Sequence, residues 1–190
     1  MSSLSRHIRE HDAQRLARSE RIRRALGGRL PALLPEYLNT LVGALIGFWL
    51  LAELLSWLLD VDPRYTIGAV GLLYSSQATY YTLRLAADPA FTVPKCACAG
   101  RSHDDTEVVL RSPASAVLKV PNALLGCLWY AALVALVATG NTTAALTLAV
   151  VAVAASAALG VVMVTRVRAL CPICINTAAM NVVILAYLVL

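Results

Sequence analysis

Five apolar stretches, at about 37–59, 65–86, 117–139, 143–165 and 172–190, each come near the roughly 20 residues a helix needs to cross a bilayer. A chain dominated by such runs has little freedom. Apolar residues make up 59% of it and charged residues 14%, with a mean hydropathy of +0.70, whereas a soluble domain carries about 25% charged residues. So few charges cannot coat a globule of 190 residues. The same apolar content excludes disorder, and ten Gly with eight Pro exclude collagen-like repetition. The expectation is an all-α integral membrane protein, a compact helical bundle with the lipid bilayer as its solvent.

The remaining charge is concentrated at one end. Eight of the fourteen Arg precede residue 30. A basic tail ahead of an apolar chain orients a protein in a bilayer more often than it binds nucleic acid, so no nucleic-acid partner is expected. Within it, Ile8, Leu16, Ile22 and Leu26 among the Arg residues predict an amphipathic surface helix over 5–28. Gly27, Gly28, Pro31 and Pro35 are expected to break that helix before the first span, dividing a 1–36 tail from a 37–59 span. Glu53 interrupts the first span, and Arg84, near the end of the second, can reach back to the interface. Small residues crowd the fourth span, in keeping with close helix packing.

The turns near 60–64 and 140–142 are minimal, but 87–116 is a long polar segment, and loops of that length in small domains are usually functional. Asp104 to Glu107 suit the N-terminus of a short helix there. With five spans, this loop shares a membrane side with the tail and the Arg166–Arg168 turn. That side also holds Lys95, Arg101 and Arg111, while the other holds Arg64. Positive-inside logic therefore predicts a multi-pass cell-membrane protein with this side in the cytoplasm. If 37–59 does not span, the side becomes extracytoplasmic.

Four of five cysteines lie on that side in two close pairs. Cys171-Pro172-Ile173-Cys174 opens the last span. Two sulfurs at this spacing meet across one helical turn, and amide dipoles at a helix N-terminus lower a thiol's pKa, as disulfide exchange requires. Pro172 suits a first turn, where its missing N–H costs nothing. Cys96-Ala97-Cys98 lies in the loop. Thiol redox chemistry is one reading of these pairs. Four thiolates holding zinc or copper in a membrane module is the alternative. Cys127, inside a span, reads as a small packing residue, and His7, His11 and His103 as solvated.

Over about residues 65–190 the chain resembles the vitamin K epoxide reductase family of membrane thiol oxidoreductases. The carriers are the loop cysteine pair, Ser112 and Ser115, then Val120-Pro121-Asn122-Ala123-Leu124-Leu125-Gly126-Cys127-Leu128-Trp129-Tyr130 at the head of a helix. Cys171-Pro172-Ile173-Cys174 heads the final helix, with Asn181 further along it. The resemblance implies a four-helix catalytic bundle over 65–190, with 87–116 as its redox loop and 37–59 as an extra N-terminal transmembrane helix.

It also implies a mechanism. Electrons from the dithiol of a thioredoxin-like partner enter through Cys96 and Cys98 and pass to Cys171, the outer member of the active pair. Cys174, deeper, delivers them to a membrane quinone of menaquinone or ubiquinone type, in support of disulfide bond formation. Asn122 matches an asparagine that hydrogen-bonds a quinone oxygen; the plainer role for it is to cap its own helix. The chain departs from the family pattern in its closely spaced loop cysteines. It also has Ala178 where animal members carry a tyrosine, which favours quinone over epoxide reduction. No thioredoxin-like domain follows the last span, so a separate redox partner is expected.

Overall fold

The computed structural model describes residues 30–88, 90–94, 105–117 and 120–190. The expected 5–28 helix and the loop cysteines Cys96 and Cys98 lie outside the described residues. Five long helices carry the fold: α1 Leu30–Leu59, α2 Pro63–Ala87, then after a short α3 at Thr106–Leu110, α4 Asn122–Ala138, α5 Thr142–Val162 and α6 Pro172–Val189. The protein is an all-α membrane protein, a four-helix bundle of α2, α4, α5 and α6 with one extra N-terminal transmembrane helix, α1. Among the described residues, three segments are long and apolar enough to cross a membrane individually: Leu33–Leu59, Thr142–Val167 and Pro172–Val189.

Two expected boundaries shift. Pro31 and Pro35 do not precede the first helix but belong to it. Proline removes one backbone donor and crowds the preceding turn; Pro35 has barely one turn before it, so little is disrupted. The span expected at 117–139 shortens to the 17 residues of α4. Ala116–Val117 instead pairs antiparallel with Val120–Pro121, and Pro121, with ψ at 131°, caps the helix from outside it. The expected short loop helix is α3, which follows Asp105.

α2 begins where Asp62 accepts from the Arg64 N–H at 2.8 Å, with Pro63 at the first helical position. The Arg64 guanidinium also pairs with Asp62 and holds its carboxyl below the usual carboxylate range. The chain turns through left-handed backbone at Asp60, Gly140 and Arg168. The hydroxyls of Thr79 and Thr82 donate to carbonyls one turn back, both at 2.8 Å, so these two polar side chains satisfy their donors within α2. Arg84, expected to reach outward, lies with its guanidinium 5.3 Å from the Phe91 ring centre.

Glycines set how closely the helices approach. A Cβ at Gly68 would sit 2.7 Å from Val134, and one at Gly71 would enter the Tyr130 ring. α2 and α4 therefore meet almost backbone to side chain, as small residues permit in membranes. Tyr130 is buried and its hydroxyl donates to Asn181 Oδ1 at 2.8 Å. Asn181 Nδ2 in turn donates to Ser156 Oγ at 2.8 Å. One chain of hydrogen bonds thus joins α4, α6 and α5 in an apolar setting, where an unpaired polar group is costly.

α1 is more than an appendage. Ala52 belongs to the same buried cluster as Ile67, Tyr130, Ala149 and Met180. Trp49 stacks on Tyr187 at 4.8 Å, and the Tyr187 hydroxyl donates to Glu53 Oε1 at 2.7 Å, which gives the carboxyl inside this apolar helix a partner. At the other end Leu33 packs with Cys171. α1 therefore runs beside α6 from one end of the bundle to the other. Its outer face exposes Leu34, Leu38, Val42, Ile46, Leu50 and Leu54, a stripe repeating every four residues that suits lipid.

Candidate functional site

Cys171 is the N-cap of α6, and Pro172 follows it at the first helical position. The extended backbone at Cys171 swings its side chain over the first turn, where Sγ accepts from the Cys174 N–H at 3.3 Å. Cys171 and Cys174 are joined as a disulfide with their Cα atoms 5.2 Å apart. An amide donor aimed at Sγ, together with the helix dipole, stabilises a thiolate there once the bond opens.

The two sulfurs have different surroundings. Cys171 is completely buried, in a cluster with Leu33, Met163, Val164, Leu170 and Ile175, and Tyr37, Leu41 and Val109 pack on its outside. Cys174 is partly exposed and lines a cavity of about 140 Å³. The expectation of an outer Cys171 and a deeper Cys174 thus reads differently in space. The start of α1 and the loop helix α3 cover Cys171, while Cys174 faces the interior cavity.

That cavity sits between the bundle and the 105–117 loop. Its walls are mainly apolar, with Ala78, Leu110, Leu159, Met163 and Ile173 among them. A few polar groups converge on it, chiefly Asn122, Ser115, Ser156 and Thr177. An apolar chamber with sparse, placed polar groups is the usual make-up of a small-molecule site. Asn122 does not cap α4. Its Nδ2 donates to the Ala114 carbonyl at 2.9 Å, pinning the loop over the cavity and leaving a second amide N–H on the same nitrogen. The loop is held elsewhere by Ser115 Oγ, which donates to the Leu110 and Ser112 carbonyls, each at 2.8 Å. Arg111 donates to Glu107 and to the Phe91 carbonyl, both at 3.0 Å.

The structure therefore brings Cys174 and Asn122 to one cavity, with Cys171 directly behind. Ala178 also lines it, so no phenol reaches in from that position. Cys127 lies away from it, its sulfur 3.5 Å from Thr79 Oγ1 and 3.7 Å from Ser76 Oγ on α2, as a packing residue would. Asp105 docks the loop beside the disulfide by donating its N–H to the Leu170 carbonyl at 3.0 Å. Its Oδ2 is buried with no hydrogen-bond partner among the described residues.

Sequence reasoning missed Tyr37, Ser156 and Gly160, which also line the cavity. Tyr37 had one available signal, a tyrosine near the start of an apolar span, but that pattern is shared by every interfacial anchor.

The profile of the vitamin K epoxide reductase family matches residues 63–189. The chain belongs to this family. Its members are membrane oxidoreductases that couple thiol–disulfide chemistry to a quinone and work with a redox partner. The matched segment opens at the head of α2 and takes in both bonded cysteines and every cavity-lining residue except Tyr37; α1, with Leu33 and Tyr37, lies before it. No curated protein matches the chain.

Proposed function

We propose that the protein is a quinone-dependent thiol:disulfide oxidoreductase that passes electrons from the dithiol of a thioredoxin-like partner, through Cys96/Cys98 and then Cys171/Cys174, to a membrane quinone. The observation that carries this reading is the shared cavity. Cys174, disulfide-bonded to Cys171, faces the chamber that Asn122 also lines.

A thiolate, from the loop pair or the partner, attacks Cys171 Sγ and breaks its bond to Cys174. The Cys174 sulfur departs as a thiolate into the cavity. A second thiolate resolves the mixed disulfide and releases Cys171, whose negative sulfur is held by the Cys174 N–H. The bound quinone supplies a two-electron, two-proton acceptor. Cys171 and Cys174 then rejoin as a disulfide and give up two electrons, and the two protons the quinone takes up are those the attacking thiols lost to solution when they ionised. Asn122 orients the ring by donating its second amide N–H to a ring oxygen. The apolar walls keep water from the Cys174 sulfur while it is reduced. The net product is one disulfide in the partner for each quinol formed, in support of disulfide bond formation.

The charge distribution favours a cytoplasmic side for the proposed active cysteines. The full-length course of α1 beside α6 supports the five-span topology on which that rests. An impermeant maleimide applied to intact cells carrying single introduced loop cysteines tests the side; labelling without lysis would overturn the cytoplasmic placement.

For the activity, the protein is reduced anaerobically in detergent, freed of reductant and mixed with a water-soluble quinone. Stoichiometric loss of quinone absorbance is expected from the wild type and none from Cys174→Ala. Asn122→Ala is expected to raise the quinone KM about tenfold, the value of one hydrogen bond in a dry site. Undiminished reduction by Cys174→Ala would sink the relay.

A further inference from the structure

A ring in the cavity described above needs a way out for its tail. Membrane quinones carry long polyprenyl chains, and such a chain must reach lipid along an apolar path. The α2–α4 side offers none, because Val134 and the Tyr130 ring close against Gly68 and Gly71. The loop side is tied across by the Asn122–Ala114 hydrogen bond. The α1–α5 side differs. There a second, larger cavity of about 590 Å³ runs between α1 and α5 with α6 behind it, lined by Leu34, Leu41, Val153, Val161, Val164 and Val182 among others. Val161 and Leu34 are more than half exposed, so this groove opens to the hydrocarbon.

The two cavities adjoin across a shared wall. Tyr37, Ser156, Gly160 and Ala178 line both. Gly160 is what lets the partition form, because a Cβ there would stand 2.5 Å from the Tyr37 hydroxyl oxygen. The phenol of α1 thus rests against bare α5 backbone at the boundary between the chambers. We propose that the quinone's polyprenyl tail leaves the ring cavity past Tyr37 and Gly160 and lies in the α1–α5 groove. A helix outside the family-matched segment thereby forms part of the quinone site. This rests on the quinone reading above and names its tail subsite. Tyr37 is the wall between ring and tail, and its rotation sets the width of the passage.

The test separates ring from tail. Ala157 and Val182 line the groove but not the ring cavity. Full-length protein in lipid nanodiscs, with dithiothreitol as reductant, is assayed with one quinone ring in two forms, carrying either four isoprene units or a methyl group. Ala157→Phe and Val182→Phe are expected to raise the KM of the tailed form about tenfold, the low end of what an overpacked side chain costs. The KM of the methyl form stays unchanged. Equal change in both forms, or in neither, overturns the tail assignment. A wild-type measurement needs no variant to fold: a tailed quinone with a diazirine at its second isoprene should label Leu41, Val161 or Val182. Labelling confined to other helices also overturns it. If the wild type reduces the methyl form through Cys174 while the groove variants and labelling fail, only the tail subsite falls. If it reduces neither form, the parent reading falls with it.

Discussion

The seam between α2 and α4 and the seam between α1 and α5 both contain a glycine facing a tyrosine, yet one is shut and the other forms a passage. At the first, Gly71 meets the face of Tyr130, whose hydroxyl is anchored to Asn181 and lies 3.2 Å from the Thr177 carbonyl. The ring cannot step aside without stranding buried polar groups. At the second, Gly160 meets only the tip of Tyr37, beside an open groove. The residue pair is the same, but the tether on the phenol differs, and the tether decides whether close approach becomes a lock or a hinge.

The largest expected effect breaks the lock. Gly71→Ala puts a methyl into the Tyr130 ring and should lower stability by about 2 kcal/mol, read as reduced resistance to denaturing detergent. Removing the tether is milder. Tyr130→Phe leaves Asn181 Oδ1 without its donor and should cost about 1 kcal/mol, since hydrogen bonds between membrane helices average less than that. A position outside both seams calibrates the scale. Asp62→Asn keeps a capping side chain but loses the ion pair with Arg64, for about 0.5 kcal/mol. The Asp62 carboxyl titrates below its unfolded value, so its contribution is complete at neutral pH. It fades only as pH falls through the depressed pKa, and the stabilities of wild type and variant should converge in acid. The smallest effect is expected at the hinge. Gly160→Ala gains about 1 kcal/mol of helix propensity against the cost of nudging Tyr37, so stability should hold while the KM for a tailed quinone changes. A loss at Gly160 as large as at Gly71 would erase the distinction between the seams.

Much of this arrangement was legible before any coordinates. The apolar runs marked five helices because bilayer thickness sets their length, and Pro172 inside C-x-x-C placed that cysteine pair on a first turn. Asn122 could be named from a motif but not assigned a partner. Its bond to Ala114 spans eight residues of loop whose path no pattern specifies. The ends of α1 and α4 were misread because a proline in a first turn looks like a helix breaker, while the apolar residues of a two-residue ladder look like helix. Tyr37 and Gly160 were invisible for a deeper reason. In a membrane helix the face toward lipid and the face toward protein are equally apolar, so the periodicity that reveals a core face in water is erased. Residues that meet only through helix rotation leave no trace in such a sequence. The partly polar α2 is the exception, since its hydroxyls and glycines mark the side that faces the bundle.

The complete burial of Cys171 under Leu33 and Met163 also bears on insulation. Small soluble thiols are abundant in cells and would discharge an accessible quinone-linked disulfide in a futile short circuit. A sulfur sealed beneath aliphatic side chains slows such a leak, so in the proposed relay current flows fastest when a docking protein or the redox loop parts the start of α1 from the Cys171 end of α6. The helix that stands outside the family segment would then serve as the switch contact of the wire as well as a wall of its quinone chamber.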